Sequence, residues 1–257
     1  MSEPILETRG LTRDFDAFRA VDDVSMSIEA GSITGLIGPN GAGKSTLFNL
    51  LTGMLKPSNG QVFLQGEEIT GQAPDRLFAR GLARTFQLPR PFRRMSVLEN
   101  VMLSPLHQAG ERIHGPILNA LKVRNQERDI RKRAMEILDF LTLAKLADHA
   151  AGKISGGQMK LLELARVLMG DPSLILLDEP AAGVNPTLTN TLIERIQTLN
   201  RQGKTFLIIE HDMDFIMRHC SPIIALAEGK VVFSGSAEEA QSNQVLLDAY
   251  LGANADD

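Results

Sequence analysis

Residues 32–53, SITGLIGPNGAGKSTLFNLLTG, hold the side chains best suited to chemistry. Gly38, Gly43, Lys44 and Ser45 fit the spacing G-x-x-x-x-G-K-[ST], within the run Gly38, Pro39, Asn40, Gly41, Ala42, Gly43, Lys44, Ser45, Thr46. A short apolar strand, a glycine turn and a helix in that order form a phosphate cradle. Glycines let backbone N–H groups curl around phosphate oxygens with no Cβ in the way. The helix that follows points its positive dipole end and its unpaired N–H groups at the same anion. Lys44 has the reach for β- and γ-phosphates, and the Ser45 hydroxyl is a ligand for Mg²⁺. A bound nucleotide is the expectation.

Three further groups suit one nucleotide, and each ends a strand. The apolar run LILL at 174–177 leads into Asp178-Glu179-Pro180. Asp178 is placed to hold Mg²⁺, and Glu179, not needed for the metal, is the candidate to polarise an attacking water. Gln87, after LARTF, and His211, after TFLII, can hydrogen-bond a γ-phosphate or water, or reach the metal. A lone His or Gln at a strand end is more often structural; the joint placement raises both. Ser155-Gly156-Gly157-Gln158 opens another helix and is either a second anion cradle or a glycine turn with a serine cap. One nucleotide does not need two cradles in one subunit. A head-to-tail pair of chains, each completing the other's site, closes under two-fold symmetry.

These groups need strands that end together, and the pattern supplies them. Strands are expected at Ile5–Glu7, Ala20–Ile28 and Ser32–Ile37, broken by Gly10 and a turn at 29–31. A helix over 46–51 ends at Gly53; Gln61–Leu64 and Leu82–Gln87 read as strands, with Pro74 opening a helix between them. From 88 to about 152 the pattern turns helical, with a capping box at Ser96–Glu99 and helices near 116–124 and 127–143. The basic residues Lys122, Arg124, Arg128, Arg131, Lys132 and Arg133 make either a solvated helix face or a contact with lipid head groups or a membrane partner. The α/β pattern then resumes with the helix 159–169, the strand 174–177, a helix from Pro186 to about Arg201, the strands 205–209, 223–227 and 231–234, and a last helix capped by Ser236. The expected organisation is one domain over 1–257, with an α/β core at about 1–87 and 153–257 and a helical insertion at about 88–152. Phe15 and Phe18, between the first two strands, either pack in the core or stack on an adenine ring.

The bulk numbers narrow the class. A chain of 257 residues with 43% hydrophobic and 23% charged residues is ordinary for a globular protein. A net charge of −4 argues against nucleic-acid binding by bulk electrostatics. Cys220 is the single cysteine, so an intramolecular disulfide is impossible, which suits a cytoplasmic site. No apolar run reaches the ~18 residues of a membrane span. The start, MSEPILETRG, lacks the features of a signal peptide. Service to a membrane is therefore expected by docking from its cytoplasmic face.

GPNGAGKST at 38–46, Gln87, ISGGQ at 154–158, LILLDEP at 174–180 and His211, taken together and in order, resemble the ATP-binding-cassette (ABC) family over nearly the whole chain. The resemblance implies an α/β fold with a P-loop (RecA-like) core, an N-terminal antiparallel β-subdomain and an inserted α-helical subdomain. It implies an ATPase using ATP and Mg²⁺ that closes as a homo- or heterodimer around two ATP molecules. In it, Ser155, Gly156, Gly157 and Gln158 form the signature that meets the ATP held by the other subunit. Phe15 becomes the adenine-stacking aromatic, and Gln87 joins Ser45 and Asp178 around Mg²⁺. ARTFQ at 83–87, ISGGQMKLLELAR at 154–166, DEPAAGVNP at 178–186, IEHDM at 209–213 and AYLG at 249–252 are similar to the branch that drives branched-chain amino-acid uptake. Asn185 stands in the D-loop where most members of the wider family carry Asp, a departure shared with that branch. The implied partners are transmembrane permease subunits, docked near 87–100, and indirectly an extracytoplasmic substrate-binding protein; no nucleic acid is implied. Rival readings are another cargo such as urea, other amides or an exported lipid, a non-transport ABC ATPase, and a non-catalytic nucleotide-binding module.

Overall fold

The computed structural model describes residues 4–85, 89–105, 108, 120–243 and 246. Two compact units form among them: the described residues of Met1–Arg84, Ser173–Ala182 and Gln197–Asp257, and those of Thr85–Pro172 and Gly183–Ile196.

The first unit is built from two sheets. In the antiparallel sheet the order is β2 (Phe18–Glu29), β1 (Pro4–Phe15), β4 (Asn59–Leu64), β5 (Glu67–Glu68). The other has six strands in the order β10 (Lys230–Gly235), β9 (Ile223–Ala227), β3 (Ile33–Ile37), β8 (Thr205–Ile209), β7 (Leu174–Asp178), β6 (Leu82–Arg84). Its strands run parallel from β9 to β6, with β10 antiparallel at one edge. Every residue of β7 and β8 is buried, because a strand inside a parallel sheet is covered on both faces. Helix α1 (Lys44–Leu51) contributes Leu47, Phe48, Leu50 and Leu51 to one hydrophobic core with Leu6, Ile28, Val62, Leu176 and Ile209. Phe48 is wholly buried, and its truncation to Ala would cost about 3–5 kcal/mol. Helices α2 (Pro74–Ala79), α7 (Met213–His219) and α8 (Ala237–Ser242) complete the unit.

The second unit is helical: α3 (Val97–Met102), α4 (Ala120–Phe140) and α5 (Gly156–Leu168), which pack on one another, and the first part of α6 (Pro186–Arg201). Buried Val97, Val101, Leu138, Leu161, Leu162 and Ala165 form its interior.

Several expectations change. Gly10 does not end the first strand: β1 runs on to Phe15, and the glycine, at φ +58°, is absorbed where the register with β2 shifts. Residues 120–140 form one helix rather than the two expected patterns, since nothing between 124 and 127 breaks it; residues 116–119 lie outside the described residues. Helix α7 was not expected. Asp212 caps it by accepting the Phe215 N–H at 3.1 Å, and Phe215 and Ile216 are its buried face. No described helix is long and apolar enough to cross a membrane.

Candidate nucleotide site

Three parallel strands end level. Leu36 of β3 and Asp178 of β7 both lie opposite Ile209 of β8. The glycine loop, Glu179 and Glu210-His211 therefore leave one edge of the sheet, at the carboxyl ends where such sheets bind ligands.

The loop at 38–43 is shaped by its neighbours. At Gly38 (φ +155°) a Cβ would sit 2.3 Å from the Leu226 carbonyl oxygen, and at Gly43 (φ +97°) it would sit 2.3 Å from that of Ala20. Both motif glycines are thus required by backbone packing as well as by conformation. Lys44 is 6% exposed and curls over its own loop, its Nζ donating to the carbonyls of Gly38 at 2.6 Å and Pro39 at 2.9 Å. Burial lowers its pKa, and the charges of Glu179 and Asp178 oppose that shift. Ser45 is exposed at the start of α1, where first-turn N–H groups have no partner in the helix.

Asp178 is buried and ion-paired. Its Oδ2 accepts from Arg84 at 2.7 Å, and the same guanidinium donates to the Asn49 side chain at 2.6 Å. Arg84 thereby ties β6 to the carboxylate that ends β7 and to α1. Next in the chain, Glu179 holds φ +47°, a left-handed backbone rare for a side chain of this size. Its N–H donates to the Ile209 carbonyl at 2.9 Å, which fixes the turn. Glu179 Oε1 lies 2.8 Å from His211 Nε2; the histidine is half exposed and the carboxylate mostly covered. The pair brings together two of the expected site residues, each on its own strand end. A carboxylate there can polarise a water while the imidazole holds it in place.

Phe15 is 40% exposed at the β1–β2 hairpin, with the Arg13 guanidinium 4.7 Å from its ring centroid. It is not a core residue, so one ring face can take a planar ligand. Gln87 lies outside the described residues.

In the helical unit, Ser155 caps α5. Its Oγ accepts the Gln158 N–H at 3.3 Å, and the Gln158 Oε1 accepts the Ser155 N–H at 2.9 Å. Ser155 and Gly156 are exposed, while a Cβ on Gly157 would press on Leu188 and Val184 at 2.8 and 3.0 Å. Asn185 is exposed and caps α6, its Oδ1 accepting the Leu188 N–H at 2.9 Å.

Sequence reasoning missed Arg84 and Glu210. Arg84 sits inside ARTFQ, where only Gln87 had been given a role. Glu210 directly precedes His211, so its place beside a candidate residue was the one available signal.

The fold and this edge define a P-loop nucleotide-binding protein of the α/β class. Residues 21–182 match the family described as ABC transporter. The chain is 41% identical over 249 residues to the probable branched-chain amino acid transport ATP-binding protein LivG of Archaeoglobus fulgidus, covering 97% of this chain and 96% of that one. It is 37% identical to the high-affinity branched-chain amino acid transport ATP-binding protein BraF of Pseudomonas aeruginosa, covering 98% and 99%. Among solved structures it is similar to an ATP-binding cassette of an ABC transporter in its ADP conformation (TM-score 0.83, 36% identity, 98% and 100% covered). It is also similar to a dimeric post-hydrolysis cassette bound to ADP and Pi (TM-score 0.75, 25% identity, 90% and 98% covered). The chain belongs to the ABC transporter family.

Proposed function

We propose that this chain is the ATP-binding and ATP-hydrolysing subunit of an ABC importer for branched-chain or related amino acids. The pairing of Glu179 with His211 beside Asp178, at the strand edge that carries the phosphate loop, supports it best. The names of the relatives support the cargo.

In this reading the loop of residues 38–46 cradles the phosphates with its backbone N–H groups, Pro39 having none to offer, and Lys44 leaves its loop carbonyls for the β- and γ-phosphate oxygens. Phe15 stacks on the adenine. Glu179 draws a proton from the attacking water, and His211 and Gln87 orient that water against the γ-phosphate. Among the described residues no group of three or more His, Cys, Asp or Glu side chains could hold a metal. Ser45 and Asp178 offer one hydroxyl and one carboxylate, and these hard oxygen donors fit a magnesium ion that takes its other ligands from phosphates and water. When bound, Mg²⁺ would neutralise charge on the phosphate oxygens.

Ser155, Gly156, Gly157 and Gln158 of a second ATPase subunit, identical or paralogous, close over the γ-phosphate, and Asn185 lies in the loop that links the two sites. Closure drives permease subunits at the cytoplasmic face of the membrane, docked near 87–100, and an extracytoplasmic binding protein delivers the cargo. Residues at about 1–87 and 153–257 are read as the family's α/β core with its β-subdomain, and those at about 88–152 as its inserted helical subdomain.

Glu179→Gln should keep ATP binding and lower kcat about 100-fold or more. Phosphate release at the wild-type rate from that variant would remove Glu179 as the base. Amino-acid-stimulated hydrolysis with the reconstituted permease and binding protein tests the cargo, and stimulation by urea or another amide alone would replace it.

A further inference from the structure

We propose that Glu210 is a positioning residue, a carboxylate that clamps the loop carrying Glu179 to the loop carrying His211; this rests on the roles given to those two residues above. Glu210 is 4% exposed. Its Oε1 accepts the Ala181 N–H at 2.7 Å, and its Oε2 faces the His211 N–H at 3.3 Å. Ala181 lies two residues after Glu179. The loop after β7 is thus tied to the end of β8 at two points on either side of Pro180: Glu179 N–H to the Ile209 carbonyl, and Ala181 N–H to the Glu210 side chain.

Both ties act where the backbone is under strain. A left-handed Glu179 persists only if its surroundings hold it, and a charged acceptor makes the stronger hydrogen bond to a backbone N–H. Burying a carboxylate is unfavourable unless donors meet it, and the Ala181 and His211 N–H groups do. Burial first, and then the Glu210 charge, push the Cys220 thiol up to about 12, so the negative charge is felt inside the unit. Closed off from solvent, Glu210 has no route to an attacking water. It acts through the 2.8 Å contact between Glu179 and His211, whose two loops it holds in register.

The test uses the full chain with Glu210→Gln. Glutamine keeps the size but offers one acceptor oxygen and one amino group, so it can accept from only one of the two N–H groups. The expected result is a kcat about tenfold lower, with KM for ATP within about twofold of wild type. Amide exchange at Ala181 should accelerate about tenfold. In a His211→Ala background the same substitution should cost less than about twofold in kcat, because the contact it serves is gone. An unchanged kcat, a parallel loss of ATP affinity, or the full loss retained without His211 would each overturn the clamp. Hydrogen exchange in the wild-type chain decides the matter if the variant does not fold: an Ala181 amide as labile as a free loop amide overturns the proposal, and a protected one supports it. The exchange readout also separates this proposal from the Glu179 assignment, which stands or falls on Glu179→Gln.

Discussion

Two glycine turns open helices in this chain, and they are held in different ways. The turn at 38–43 is fixed from outside: carbonyls of Ala20 and Leu226 leave no room for a Cβ at Gly43 and Gly38, and Lys44 is folded inward over its own loop. The turn at 155–158 holds itself through the reciprocal bonds of Ser155 and Gln158, and it leaves Gly156 exposed with open space around it. The first is a socket whose shape is set before any ligand arrives. The second is a finished helix end whose Ser155 and Gly156 are exposed. A glycine motif alone does not separate these cases; what surrounds each glycine does.

The sharpest way to break this contrast is a single methyl group. Gly38→Ala should destabilise the fold by about 2–4 kcal/mol, since a backbone oxygen and a disfavoured φ both resist it. Gly156→Ala should instead be neutral or slightly stabilising, by up to about 1 kcal/mol, because no atom lies near and its backbone is not left-handed. Urea unfolding of both variants checks this, and equal losses would erase the distinction. The proposed role of Gly156 adds that its variant should fold normally yet hydrolyse ATP poorly.

Lys44→Ala comes next. It should weaken ATP binding about 10- to 100-fold, measured by calorimetry, while the thermal midpoint moves little, because the buried ammonium carries a desolvation cost of its own. Ser155→Ala should cost about 1 kcal/mol through loss of the cap, read from the unfolding midpoint.

The smallest effect is a matter of pH. Capping boxes at Ser96–Glu99 and Ser236–Glu239 use a carboxylate where the one at Ser155 uses Gln158. Backbone and side-chain hydrogen bonds from the serines hold Glu99 and Glu239 below the usual carboxylate range. A lowered folded pKa contributes stability that is present above the unfolded value, near pH 4, and is lost as pH falls through the folded one. On acidification the amino ends of α3 and α8 should therefore fray, and that of α5 should not. Cα chemical shifts at residues 97–99, 237–239 and 156–158 would show it; fraying at all three would mean that the boxes share another cause.

Legibility in the sequence followed the range of the interaction. The phosphate loop, the boxes at 96–99 and 236–239, and the buried strands 174–177 and 205–209 depend on neighbours a few residues away, and they were readable. The continuation of β1 through Gly10 depends on pairing with β2 and β4, which offer partners on both sides of the glycine. Helix α7 is only seven residues long, too short for a clear period. Arg84 and Glu210 could not be assigned from the chain alone, since their partners Asp178 and Ala181 lie 94 and 29 residues away. Phe15 was open between core and surface until the hairpin was seen to leave it 40% exposed.

Cys220 has a practical consequence. It is the only thiol in the chain, it is buried, and at a pKa pushed up to about 12 it offers almost no thiolate at neutral pH. The natural sequence is therefore already a background for site-directed labelling. A cysteine introduced at Leu121, 79% exposed and outside the candidate site, would be the one accessible thiol to take a maleimide dye. A fluorophore placed this way would follow ATP binding and hydrolysis with every candidate site side chain intact.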